Sequence, residues 1–109
     1  MQARTIAQQI IAEYGTNDVY RIAEKSGVKI VFENWHPVTI GEYERKTRTI
    51  RVNRRASEIG ESGLNFEKII AHELGHFFAA DLKLEKTEEE IFACEFAESF
   101  GGNIRQILP

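Results

Sequence analysis

Three features of the sequence predict an α+β domain. Helical periodicity occupies both ends, three short β-like runs lie between them, and a His-Glu-x-x-His motif sits in a helical pattern after the runs. At 109 residues the chain can build one modest core but not two, so residues 1–109 read as a single domain. Hydrophobic residues make up 42% and charged residues 28%, an ordinary balance for a soluble protein. No apolar run reaches membrane-spanning length, and Met1-Gln2-Ala3-Arg4-Thr5 lacks the apolar segment of a secretory signal. The single cysteine, Cys94, excludes an internal disulfide framework. A cytoplasmic location without membrane contact is therefore expected. The net charge of −3 gives no general case for nucleic-acid binding.

Taken in order, Ile6, Ala7, Ile10, Ile11 and Tyr14 fall at helical spacing, so residues 3–14 read as an amphipathic helix stopped near Gly15. Asn17 or Asp18 can cap a second short helix over residues 19–26, with Gly27 as its stop. That second helix has few basic or amide side chains with which to read bases, which argues against a DNA-binding helix pair. Residues 28–32 are rich in β-branched side chains and read as a strand. After the break at Trp35-His36-Pro37, residues 39–43 and 47–53 read as two more strands. Ile50 and Val52 alternate there with Thr49 and Arg51, so one face is buried and one wet. A three-stranded, mostly antiparallel sheet is expected, with an edge strand that can hold an extended peptide. The basic run Arg45, Lys46, Arg48, Arg51, Arg54 and Arg55 reads as a solvated hairpin face, or else as a dock for an acidic partner. Residues 57–63, with Gly60 and Gly63, form a loop into the motif helix.

In a helix, His72 and His76 stand one above the other, so both imidazoles can reach one metal ion. Phe66, Ile69, Ile70 and Phe77 give that helix an apolar face, and Glu73 projects into it. A carboxylate aimed at a core is costly unless something charged or hydrogen-bonding receives it. A metal site with a general base provides that reason. Ala71, Gly75 and Ala79 recur every four residues, a smooth strip that admits a second backbone beside the histidines. The last helix, from a cap at Thr87 to about Phe100, carries a core stripe of Phe92, Phe96 and Phe100. Beside it runs a small-residue strip of Ala93 and Ala97, which Glu90 continues. If the two strips meet, Glu90 arrives at the histidines as a third ligand. The rival is a capping box, Thr87-x-x-Glu90, in which the same carboxylate bonds back to the Thr87 amide. Glu95 on the polar side and Glu89 among the phenylalanines fit less well. Cys94, one turn after Glu90, is either a small buried residue or a neighbour of the metal.

These residues resemble the ImmA/IrrE-type metallopeptidases, small cytoplasmic gluzincin-like zinc proteins of bacteria and their mobile elements. The likeness spans nearly the whole chain. The helix pair around Glu13-Tyr14-Gly15 and residues 19–27, the strand 28–32, the hairpin with Thr49-Ile50-Arg51-Val52-Asn53 and His72-Glu73-Leu74-Gly75-His76 follow the family's order. The family's Glu-x-x-Ala-Asn-x-Phe-Ala pattern matches residues 90–97, with Cys94 in place of the asparagine. Where the family closes the helix with Leu-Leu-Met-Pro, this chain has Phe100-Gly101-Gly102-Asn103. The resemblance implies a small zincin-like domain holding one zinc ion, with Glu90 as third ligand on the C-terminal helix. It also implies a protein substrate, commonly a helix-turn-helix repressor of a phage or mobile element.

The expected function is a zinc endopeptidase: His72, His76 and Glu90 hold the ion, and Glu73 is the general base. Tyr43 is a candidate second donor to the developing oxyanion, and His36 a weaker one. The alternative is a non-catalytic regulatory module that grips a transcription regulator, its metal site closed by a fourth protein ligand such as Cys94. A third option, duplex binding through the basic hairpin, predicts strongly salt-dependent affinity and fits the acidic net charge poorly.

Overall fold

The computed structural model describes residues 2–34, 40–55 and 65–107, with side chains through Phe100. Helices α1 (Gln2–Tyr14) and α2 (Val19–Lys25) precede strands β1 (Lys29–Glu33), β2 (Gly41–Glu44) and β3 (Thr49–Asn53). Helices α3 (Phe66–Ala79) and α4 (Lys86–Ile107) follow, joined through a single 3-10 turn at Ala80–Leu82. The expected elements are all present, with ends shifted by a few residues. Thr39 and the 57–63 loop lie outside the described residues.

Local chemistry accounts for most of the boundaries. Asp18 caps α2 by accepting from the Tyr20 amide at 2.9 Å, which decides between it and Asn17. Gly15 and Gly27, at φ of 69° and 77°, terminate the two N-terminal helices in a backbone conformation that side chains disfavour. Asn65 caps α3 by accepting from the Lys68 amide at 2.8 Å. Helix α4 starts earlier than Thr87 and ends later than Phe100. The Glu85 amide donates to the Glu88 carboxylate at 3.2 Å, so the first-turn carboxylate that bonds back belongs to Glu88 rather than Glu90. Two consecutive glycines at 101–102 cost about 1 kcal/mol each in a helix, yet α4 continues through them to Ile107.

The sheet is mixed rather than mostly antiparallel. Its order is β1-β3-β2, with β1 parallel to β3 and β2 antiparallel to it. The reason lies in which strand tolerates burial on both sides. β3 has Thr49, Ile50, Val52 and Asn53 all buried, whereas Gly41-Glu42-Tyr43-Glu44 carries two carboxylates and suits an edge. The register places Ile30, Phe32, Tyr43, Ile50 and Val52 on the helix-covered face. Arg51 stands on the other, bonded to Glu33 and Glu44 at 2.9 Å each. The basic run is thus partly neutralised within the molecule.

The core joins Ile22, Ile50, Val52, Ile70, Leu74 and Phe96; α1 packs on α4 and buries Ala3, Ala7 and Ile10. Phe92, Phe96 and Phe100 form the expected stripe, with adjacent ring centroids 6.1 and 5.1 Å apart. The two small-residue strips do meet. A Cβ on Gly75 would lie 2.7 Å from the Ala93 Cα and 3.2 Å from its Cβ. Gly75→Ala would gain about 1 kcal/mol of helix propensity but must push two helix backbones apart, at a typical overpacking cost of about 1–3 kcal/mol. The clash should win, and a lower thermal midpoint for Gly75→Ala than for wild type is the expected outcome. Among the described residues no helix is long and apolar enough to cross a membrane.

Candidate metal centre

Two helices and one strand edge surround an open cleft of about 1070 Å³. α3 contributes His72, Glu73 and His76, α4 contributes Glu89, Glu90 and Cys94, and β2 contributes Gly41 and Tyr43. The close approach at Gly75 and Ala93 brings the α4 side chains to the α3 histidines. Glu90 therefore arrives where the meeting strips carry it.

The Glu90 carboxylate lies between the two imidazoles. Its Oε2 is 3.0 Å from His72 Nε2, and its Oε1 is 3.2 Å from His76 Nε2. On its other side, His76 Nδ1 is 2.7 Å from Glu89 Oε2, and Glu89 Oε1 accepts from Arg45 at 2.7 Å. With Nδ1–H donating to Glu89, a neutral His76 turns the lone pair of Nε2 toward Glu90. Two acceptors in that position attract only when a proton or a cation stands between them. The edge of a tetrahedron with metal bonds of about 2.0–2.1 Å is roughly 3.3 Å, close to both observed separations. His72, Glu90 and Cys94 form a group whose ligand atoms all lie within 4.8 Å of one another, and this group could hold a metal ion. His76 stands outside that group, its Nε2 reaching only the second oxygen of Glu90, at 3.2 Å. Imidazole, carboxylate and thiol donors together fit a divalent first-row ion.

Electrostatics support the same picture. Burial holds the His72 imidazole below its ordinary pKa against the opposing pull of Glu90, which favours the neutral, ligating form. Glu73 is only 9% exposed and makes no hydrogen bond among the described residues. Burial pushes its carboxyl up to about 7, with Glu90 and Glu42 adding to the shift and His76 opposing it. A carboxyl poised near neutrality suits a group that exchanges a proton with a water. Burial, then the neighbouring Glu90, raises the Cys94 thiol.

Three residues hold places in the centre that the sequence reading does not give them. Glu89 does not lie among the phenylalanines; it stands in the first turns of α4, before the core stripe begins, and reaches His76 and Arg45 instead. Burial raises its carboxyl, but hydrogen bonds from His76 and Arg45 outweigh this and hold it below the usual range. Arg45, in the β2–β3 turn, is 44 residues away in sequence, a partnership no local pattern reveals. Gly41 does leave a signal, since a glycine inside a strand marks close backbone approach. A Cβ there would lie 2.6 Å from Ile69 Cγ2 and 3.7 Å from Glu73 Oε2. The carboxylate that orients a ligating histidine typically contributes 10–100-fold to metal affinity. Glu89→Gln should therefore weaken metal binding by about that factor, read by competition with a chelator.

Tyr43 lines the cleft and packs edge-on against Phe77, with centroids 5.9 Å apart; burial raises its phenol. Cys94 is exposed, so it is not the small core residue that was one of its two readings. Glu95 is exposed and takes no place in the cleft lining. His36 lies outside the described residues. No protein-family model, curated protein or solved structure matches this chain.

Proposed function

We propose that this protein is a zinc-dependent endopeptidase of the zincin type, with His72, His76 and Glu90 holding the ion and Glu73 as general base. The observation that carries this reading is the buried Glu73 carboxylate, without a hydrogen bond among the described residues, in the same cleft as the histidines and Glu90. A bound zinc would supply Lewis-acid polarisation of a peptide carbonyl and make a nearby water more acidic. Glu73 takes the proton of the attacking water and delivers it to the departing amine. Tyr43, which lines the strand side of the cleft, would donate to the developing oxyanion. The outer edge of β2, without a partner strand among the described residues, offers backbone groups to an extended peptide, and a cleft of this size accommodates a polypeptide segment.

A purely structural metal site, as in a regulatory binding module, has no use for a buried carboxyl with a pKa near 7, and this favours the enzyme. The resemblance to ImmA/IrrE-type metallopeptidases at residues 72–76 and 90–97 extends the proposal to substrate. The target would be a helix-turn-helix repressor, cut at one site. The test incubates zinc-loaded protein with such a repressor encoded beside its gene and reads fragments by mass spectrometry. Defined fragments with wild type and none with Glu73→Gln are expected. A repressor that binds tightly but stays intact would overturn the peptidase and leave the binding module.

A further inference from the structure

Resting on the metal centre proposed above, we infer that Cys94 is itself a ligand, so that the resting ion is held by His72, His76, Glu90 and Cys94. Cys94 lies one turn after Glu90 on α4, and its Sγ is 3.8 Å from Glu90 Oε2. A tetrahedral centre with a metal–sulfur bond of about 2.3 Å and a metal–oxygen bond of about 2.0 Å separates those atoms by roughly 3.5 Å. The sulfur also falls within 4.8 Å of the ligand atoms of both His72 and Glu90. Independently, Glu73, nine-tenths buried and without a hydrogen bond among the described residues, lines the same cleft, which marks the space bounded by α3, α4 and β2 as one built for a ligand.

Charge and packing agree. Two neutral imidazoles, one carboxylate and one thiolate balance a divalent cation in a partly buried centre, whereas the carboxylate alone leaves one positive charge over. The thiol has no packing duty, because Phe92, Ala93 and Phe96 fill the core side of this stretch and Cys94 is exposed. On ligation the S–H bond is replaced by a sulfur–metal bond and the proton passes to solvent. A four-ligand sphere would equally suit a binding module. The presence of Glu73 makes it instead a latent hydrolytic centre, in which the thiolate must leave before a peptide carbonyl can enter.

Cobalt(II) substitution tests this directly, because Cys94 is the only cysteine in the chain. Wild-type protein loaded with cobalt is expected to show the visible bands of a tetrahedral ion together with an intense near-ultraviolet thiolate-to-cobalt charge-transfer band. Cys94→Ala should keep visible bands and lose the charge-transfer band. Visible bands without charge transfer in the wild type would overturn Cys94 as a ligand while leaving the three-ligand centre standing. Cobalt bound by neither protein would overturn both.

Discussion

Replacing Glu73 with glutamine is expected to stabilise the metal-free protein at pH 8 and to change little at pH 4. In the unfolded chain this carboxyl ionises near 4.5, and in the folded protein near 7. Between those values the unfolded state has lost its proton and the folded state has kept it. The slope of unfolding free energy with pH is then negative, and stability falls as pH rises through the window. A separation of about 2.5 pH units corresponds to roughly 3 kcal/mol by pH 8, a large share of the 5–15 kcal/mol that holds a domain together. Glutamine stays neutral throughout, so the Gln-minus-wild-type difference should grow from near zero to about that value.

His72 works in the opposite sense. Its depressed pKa makes the unfolded state the better proton acceptor, so its contribution to stability rises with pH through the imidazole range. The raw wild-type profile mixes the two, and only the difference between the two proteins isolates Glu73. Urea titrations at a series of pH values measure it, and a difference that stays flat with pH would refute the assignment. A variant that gains stability yet loses about 10²–10⁴-fold in turnover would show that the carboxylate is kept for chemistry rather than for folding.

The parts of this site that local spacing controls were legible in the chain. Helical periodicity alone put His72, Glu73 and His76 on neighbouring faces, and matching small-residue strips foretold the contact of Gly75 with Ala93. What escaped depended on contacts between distant segments. β3 lies at the sheet centre because its polar Thr49 and Asn53 are buried along with Ile50 and Val52, which an alternating pattern does not disclose. Glu89 was misplaced because projection down an axis treats every turn of a helix alike. Its own turn precedes the phenylalanine core and faces Arg45, a residue brought there by a turn in which Arg48 adopts φ of 52°. Gly41 was readable in principle, but its close neighbour Ile69 comes from a different element.

Glu90→Ala is expected to remove bound metal without unfolding the protein, and this contrast separates its two sequence readings. As a ligand, Glu90 supplies the charged oxygen of the centre, so its loss should weaken metal binding by more than the roughly 10–100-fold typical of an outer hydrogen-bond partner. As a cap, its loss would instead lower helix stability by about 0.5–2 kcal/mol and leave the metal in place. The geometry favours the first outcome. Its side chain is 57% exposed and points at the histidines, while the Glu88 carboxylate takes up the Glu85 amide at the start of α4. The melting curve of metal-free Glu90→Ala should therefore stay within about 0.5 kcal/mol of wild type, as for other surface changes. Metal content of wild type, His76→Ala and Glu90→Ala decides the matter. Near one equivalent in the first and none in the others fits the ligand role. Metal lost from His76→Ala but retained by Glu90→Ala would remove Glu90 from the ligand set and leave Cys94, beside His72, or Glu89, beside His76, to supply its donor.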